Sequence, residues 1–214
     1  MKVEIWSDVV CPWCYIGKRR FERALDGFQD SSKVEVVWRS FELDPRAPKI
    51  RGGDPVEGLA RKYGITRDQA TEAQARLTTL AGEEGLDLHL DQARSGNTFD
   101  AHRLLHLARK SGLQGALKER MLAAYFGEGR SIGDPDTLVS LAGDVGIASE
   151  EVSEVLDGEA FGAEVRSDET EAEELGVTGV PFFLFDRKYM IPGAQPVEVF
   201  ATTLAKALIA TNPT

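Results

Sequence analysis

The pattern of apolar and polar positions in the first part of the chain predicts a strand, a helix and a second strand. Residues 2–7 and 34–43 are rich in β-forming residues, and residues 12–28 between them predict a helix. A strand–helix–strand order favours a right-handed crossover with the two strands parallel. The chain therefore begins with a β–α–β unit.

The pattern then changes to one that is almost entirely helical. Prolines and glycines between Pro45 and Pro55 interrupt the chain, and residues 55–157 follow with helical periodicity and capping signals. Thr66 and Gln69 have the spacing of a capping box, and Asn97 or Thr98 can cap a helix that runs to Lys110. Apolar positions of this segment are predicted to be core, among them Leu104, Leu105, Leu117, Met121, Leu122, Leu138 and Leu141.

The last part of the chain returns to mixed structure. Residues 161–175 predict a helix, residues 182–191 a β-hairpin with its turn at 186–188, and residues 196–210 a closing helix. We therefore predict an α/β domain made of residues 1–44 and 158–214, which brackets an inserted helical domain of residues 45–157.

Composition and charge argue against some classes of function. Hydrophobic residues make up 42% of the 214 residues, enough for a core, and 25 basic against 35 acidic residues give a net charge of −10. This charge argues against nucleic-acid binding, which needs basic patches. No run reaches the length of a membrane span and no signal peptide is evident, so we expect a cytoplasmic protein that does not bind membranes.

Both cysteines of the chain lie in one motif, Cys11-Pro12-Trp13-Cys14, between the first strand and the first helix. This placement is typical of a thiol–disulfide redox site. Pro12 suits a helix start, and the helix N-terminus is expected to lower the pKa of Cys11 and favour its nucleophilic thiolate. Cys14, one turn further, would resolve the mixed disulfide. Trp13 is expected to form an exposed apolar rim that contacts substrate.

Two other interpretations of the cysteine pair stay open. The pair could be half of a zinc site, with His102 and His106 as the further ligands because residues i and i+4 share a helix face. It could also be two buried structural thiols. The redox context favours exchange chemistry and no bound metal.

A second motif, Thr178-Gly179-Val180-Pro181, directly precedes the hairpin. Proline cannot donate to a sheet and marks a strand start or edge. Its functional interpretation is a cis-proline facing the cysteines, with the Val180 backbone available to pair with a peptide or with glutathione. Asn97 and His102 are candidates to line the same cleft, the alternatives being a helix cap for Asn97 and an ordinary exposed residue for His102.

Together these motifs resemble the thioredoxin fold in its DsbA-type arrangement. Residues 7–17 and 97–103 are similar to the FrnE-like subgroup. The resemblance implies a thioredoxin fold with a large all-helical insertion between the second strand and the later helix–hairpin–helix half. It also implies thiol–disulfide oxidoreductase or isomerase activity, with Cys11 as nucleophile, Cys14 as resolving thiol and Pro181 as the cis-proline.

Kappa-class glutathione transferases and 2-hydroxychromene-2-carboxylate isomerases look similar in architecture but carry serine at the position of Cys11 and use glutathione. A glutathione-dependent isomerase or transferase is therefore the alternative function, and a non-catalytic redox sensor or zinc-binding protein is a second alternative. We expect no tightly bound cofactor, glutathione as a candidate reductant or co-substrate, and thiol- or disulfide-containing proteins or small molecules as partners of a monomer or homodimer. Because no histidine separates the cysteines, an intermediate or reducing potential is expected.

Overall fold

The computed structural model describes residues 1–94 and 96–211. They form two compact units: a sheet unit, made of residues 1–43 and the chain from residue 165 onward, and a helical unit of residues 44–164. The boundaries predicted from sequence differ from these by one residue at the first crossing and by seven at the second.

The sheet unit contains a four-stranded mixed sheet in the order β2-β1-β3-β4. Its strands are β1 (Lys2–Ser7), β2 (Glu35–Ser40), β3 (Phe182–Phe185) and β4 (Tyr189–Pro192). The parallel pairing predicted for β1 and β2 is confirmed, with Ile5 opposite Trp38. On its other side β1 pairs antiparallel with β3, so that Ile5 also lies opposite Phe183.

Helices cover both faces of the sheet. Helices α1 (Pro12–Asp26) and α9 (Val197–Thr211) contribute Phe21 and Phe200 to the core on one face, where both rings lie within 6 Å of the Phe183 ring. Helix α8 (Gly162–Glu174), which starts in the helical unit, packs Ala172 on the opposite face with Trp6 and Leu184. Alternate residues of β1 and β3 thus enter two separate cores, as strand geometry requires.

The helical unit follows the predicted capping signals. Its helices are α2 (Pro55–Tyr63), α3 (Arg67–Glu83), α4 (Phe99–Lys110), α5 (Gln114–Gly127), α6 (Pro135–Asp144) and α7 (Ser149–Asp157). The capping box is confirmed, because the Gln69 backbone N–H donates to Thr66 Oγ1 (3.2 Å) and the Thr66 N–H to Gln69 Oε1 (2.9 Å). The predicted core residues of this segment are all buried. Among the described helices, none has the length and apolarity needed to cross a membrane.

Two elements are shorter in the structure than the sequence predicts. Helix α1 ends at Asp26 rather than residue 28, and β2 ends at Ser40 rather than residue 43. The strand stops because the next backbone N–H groups bond to side chains instead of to a neighbouring strand. The N–H of Glu42 donates to Glu169 (3.2 Å) and that of Leu43 to Asp8 (2.8 Å).

Buried charges link β1, β2 and α8. Glu4 is 1% exposed and Asp168 is 2% exposed. Arg39 donates to both, at 2.9 Å to Glu4 Oε1 and 2.8 Å to Asp168 Oδ1, and Arg187 also donates to Glu4 at 2.8 Å. Burial opposes ionisation of Glu4, but the hydrogen bonds from Arg39 and Arg187 outweigh it and hold the Glu4 pKa below its usual value.

Candidate active site

The cysteine motif lies at the start of α1. Cys11 is the N-cap residue, with extended backbone angles, and Pro12 is the first helical residue. Proline fits here because its backbone has no N–H to leave without a partner and its φ is already helical. The N–H of Cys14 donates to the Cys11 carbonyl at 3.0 Å. The first turn of the helix therefore fixes the two cysteines relative to each other.

Both cysteines are buried thiols, Cys11 4% and Cys14 1% exposed, whereas Trp13 between them is 46% exposed. The exposed indole predicted at residue 13 is thus confirmed. Trp6 on β1 and Trp38 on β2 are buried.

The Val180–Pro181 segment lies beside Cys11. The bond between these two residues is cis, and Cys11 Sγ donates to the Val180 carbonyl oxygen at 3.6 Å. Val180 is half-buried and Thr178 is exposed. Strands β1 and β3 are adjacent and antiparallel, so the end of β1 lies beside the start of β3. The loop that leaves β1 and the loop that enters β3 therefore meet at the same end of the sheet, which brings the two sequence motifs together.

Asp8 connects the cysteine loop to the chain after β2. Its carboxylate is fully buried and accepts hydrogen bonds from the backbone N–H of Val9 (2.7 Å) and of Leu43 (2.8 Å). No side chain caps α1 at Cys11. Asp8 therefore orders the loop before the helix, and its charge acts on the thiols from there.

The pKa of Cys11 is raised well above its ordinary value. The hydrogen bond with the Cys14 thiol contributes most, followed by burial, and the negative charges of a Cys14 thiolate and of Asp8 act in the same direction. The Cys14 backbone N–H, which belongs to the helix start, works against them. The prediction that the helix N-terminus lowers this pKa is therefore wrong for the dithiol, because the paired thiol and burial outweigh the helix start.

Asn97 and His102 lie in the helical unit. Asn97 Oδ1 accepts from the N–H of Phe99 at 2.9 Å, and its side-chain amide donates to the Pro45 carbonyl at 3.2 Å. Asn97 thus supports the start of α4. His102 is 1% exposed on α4, so the alternative of an ordinary exposed residue is wrong. Their part in substrate binding stays a prediction.

The described residues hold no group of three or more histidine, cysteine or acidic side chains placed to bind a metal ion. The zinc interpretation with His102 and His106 receives no support from this part of the chain.

One contact of the Pro181 ring was not predicted from the sequence. Gly17 on α1 lies so close to Pro181 that a Cβ at residue 17 would come within 2.8 Å of Pro181 Cγ. On the next turn, Arg20 donates to the Ala194 carbonyl at 2.7 Å. The glycine in Cys14-Tyr15-Ile16-Gly17 was the only available signal, since glycine weakens a helix interior unless close packing requires it.

Comparison with known proteins agrees with this geometry. Residues 2–205 match the DSBA-like thioredoxin domain family. The chain is 29% identical over 206 residues to the uncharacterized protein YwbO of Bacillus subtilis (strain 168), with 95% of each chain covered.

Solved structures are also similar. A probable DsbA oxidoreductase from Streptomyces coelicolor has 46% identity and a TM-score of 0.95, over 100% of this chain and 92% of that one. The cytosolic disulfide reductase DsbM from Pseudomonas aeruginosa, in its structure with GSH, shares the fold at 18% identity and a TM-score of 0.69, over 97% of this chain and 99% of that one. The thioredoxin fold predicted from the sequence is thereby confirmed, and the chain belongs to the DSBA-like thioredoxin domain family.

Proposed function

We propose that the protein is a thiol–disulfide oxidoreductase that uses Cys11 as nucleophile and Cys14 as resolving thiol. The observation that carries the proposal is the meeting of the two motifs: the Cys11 sulfur lies 3.6 Å from the Val180 carbonyl oxygen, with Cys14 one helical turn away. A substrate that pairs with the Val180 backbone would have its sulfur beside Cys11. Family membership and the similarity to the Streptomyces oxidoreductase support the same activity.

In the proposed cycle, the Cys11 thiolate attacks one sulfur of a substrate disulfide. The substrate S–S bond breaks, a bond forms between Cys11 and that sulfur, and the other sulfur leaves as a thiolate that takes up a proton. Cys14, deprotonated, then attacks Cys11 Sγ and displaces the second substrate sulfur. The substrate gains two electrons and two protons, and the Cys11–Cys14 pair becomes a disulfide that an external thiol must reduce.

The electrostatics favour the reductase direction. A strong oxidant of this fold stabilises its reduced form, which accounts for a potential of about −120 mV in DsbA against about −270 mV in thioredoxin. Here no histidine lies between the cysteines to stabilise a thiolate, and the Cys14 thiol and burial both raise the pKa of Cys11. We therefore propose a potential on the thioredoxin side of this range, with a measured value near that of DsbA as the contrary result.

The substrate would contact the exposed Trp13 and the backbone of Val180, with Thr178 and Pro181 beside it. A thiol such as glutathione is the proposed reductant of the Cys11–Cys14 disulfide. The cytosolic disulfide reductase DsbM, which shares the fold, has a structure with GSH, which supports both this choice and a cytoplasmic location.

The test is reduction of insulin by dithiothreitol, with Cys11→Ser and Cys14→Ser as variants. The intact protein is expected to accelerate insulin reduction, and Cys11→Ser to lose the acceleration fully. Cys14→Ser is expected to stop after the first step and accumulate a mixed disulfide, which intact mass measurement detects. Full activity in Cys11→Ser would refute the role of Cys11.

One observation favours a second candidate, a glutathione-dependent isomerase or transferase of the same fold. A Cys11 thiol that keeps its proton can act as a hydrogen-bond donor, as a serine hydroxyl does. In that case Cys11→Ser would retain activity toward a small-molecule substrate in the presence of glutathione. The same variant therefore separates the two functions.

A further inference from the structure

Helix α1 and its N-cap residue contact both residues of the Val180–Pro181 segment. Cys11 at its start donates to the Val180 carbonyl oxygen (3.6 Å), and Gly17 in its second turn lies against the Pro181 ring. Gly17 is buried and helical. A glycine inside a helix costs about 0.5–1 kcal/mol relative to alanine, so helix formation does not explain this residue.

Close packing does explain it. A Cβ at residue 17 would lie 2.8 Å from Pro181 Cγ and 3.4 Å from Ala194 Cβ, and ordinary contact begins at 3.4 Å. Only a glycine lets the proline ring come this close to the helix. Because a contact under 3.0 Å essentially never occurs, an added methyl group would push the ring and the helix apart, by about 0.6 Å to reach ordinary contact at 3.4 Å.

The segment after β4 is bonded both to the Pro181 backbone and to α1. The N–H of Gly193 donates to the Pro181 carbonyl at 2.8 Å, and the carbonyl of the next residue, Ala194, accepts from Arg20 of α1 at 2.7 Å. The ring therefore cannot move away from Gly17 without disturbing a loop that is itself bonded to α1.

We propose that Gly17 and Arg20 are positioning residues that set the distance between the Val180 backbone and the Cys11 sulfur, and so determine how a disulfide substrate docks for attack. This inference rests on the proposed disulfide-exchange function. Cys11, Gly17 and Arg20 belong to one helix, which fixes the nucleophile and the docking backbone in a single frame. A misplacement of about 1 Å can cost roughly a hundredfold in rate, so a shift of 0.6 Å is expected to cost roughly tenfold.

The test compares two reactions of Cys11 in Gly17→Ala. One is kcat/KM for insulin reduction, which needs docking of a disulfide. The other is the alkylation rate of Cys11 by iodoacetamide, measured in a Cys14→Ser background so that only Cys11 reacts, which needs no docking. Gly27→Ala is the matched control, because a Cβ at that end of α1 meets no atom closer than 3.7 Å.

Gly17→Ala is expected to lower kcat/KM for insulin roughly tenfold without slowing alkylation, and Gly27→Ala to change neither. Arg20→Met, which removes the bond to Ala194 without adding bulk, is expected to lower kcat/KM in the same sense, whereas Arg19→Met on the same helix is not. Arg20→Met keeps the proposal testable if Gly17→Ala does not fold.

Failure of this inference and failure of the proposed function give different results. Unchanged kcat/KM in Gly17→Ala and Arg20→Met, or an equal loss in both reactions of either variant, would overturn the inference while leaving the oxidoreductase intact. Absence of insulin reduction by the unmodified protein would instead overturn the proposed function, and the inference with it.

Discussion

Replacing Arg39 by methionine tests the buried charges between β1, β2 and α8. The change leaves Glu4 and Asp168, both almost fully buried, without their shared partner. Breaking a buried ion pair by removing one member costs about 3–5 kcal/mol. Glu4 keeps Arg187, and Asp168 keeps the backbone N–H of Ser40 at 2.8 Å, so we expect the lower part of this range.

Tryptophan fluorescence is a suitable probe for this change. The three tryptophans, Trp6, Trp13 and Trp38, all belong to the sheet unit, so urea unfolding followed by fluorescence reports on the unit that contains Arg39. The matched control is Arg76→Met, which removes an exposed pair with Glu72 on α3. Because Arg76 lies in the helical unit, its unfolding in urea is followed by circular dichroism. That pair is expected to contribute less than about 0.5 kcal/mol, and methionine is as good a helix former as arginine.

The loss of stability in Arg39→Met is also expected to depend on pH. The folded-state pKa of Glu4 is below its usual value, so Glu4 contributes stability that is present at neutral pH and is lost as pH falls through that lowered pKa. Without Arg39 most of this contribution is already absent. The stability difference between Arg39→Met and the unmodified protein is therefore expected to narrow as pH falls from about 7 toward 3. A neutral-pH loss no larger than that of Arg76→Met would refute the reasoning.

Two further predictions concern the thiol and a close contact in the helical unit. Because the pKa of Cys11 is raised, the rate at which this thiol is alkylated should keep rising as pH passes 9. Asp8→Asn removes a negative charge that acts on the thiol and should therefore increase the alkylation rate at neutral pH. A plateau of the rate well below pH 9 would contradict the raised pKa. Gly133→Ala should destabilise the helical unit by about 3 kcal/mol or more, because the new Cβ would lie 1.7 Å from the Lys49 carbonyl oxygen. Gly143→Ala on α6, where a Cβ meets nothing within 4 Å, should be neutral or stabilising, and thermal unfolding followed by circular dichroism compares the two.

Features set by neighbouring residues could be predicted from the sequence. The capping box of Thr66 and Gln69 needs only residues three apart, and its two hydrogen bonds form as predicted. The start of α1 at Pro12 follows from one proline that suits a first helical position. The cysteine pair and Val180-Pro181 can each be recognised by residue type and by position, directly after one strand and directly before another.

Features that depend on distant residues could not be predicted. The helix start at Cys11 predicts a lowered pKa, but the fold buries this thiol beside Val180, 169 positions along the chain, and the hydrogen bond with Cys14 together with this burial raises the pKa. The end of β2 at Ser40 depends on Asp8, which takes the N–H of Leu43. The contact between Gly17 and Pro181 joins residues 164 positions apart and leaves no mark in either local pattern.

The place of β1 in the sheet has a consequence for synthesis on the ribosome. Trp6 pairs with Phe182, so one edge of β1 gains its partner only after the intervening chain has been made. At about 5–20 residues per second, the helical unit alone takes roughly 6–24 s to emerge. During that interval β1 and β2 can pair with each other, but the apolar side chains and open edge of β1 are exposed to other chains. Whether a nascent molecule aggregates is thus decided by what shields this strand while residues 44–164 are translated, and the stability of the finished fold has no influence on it.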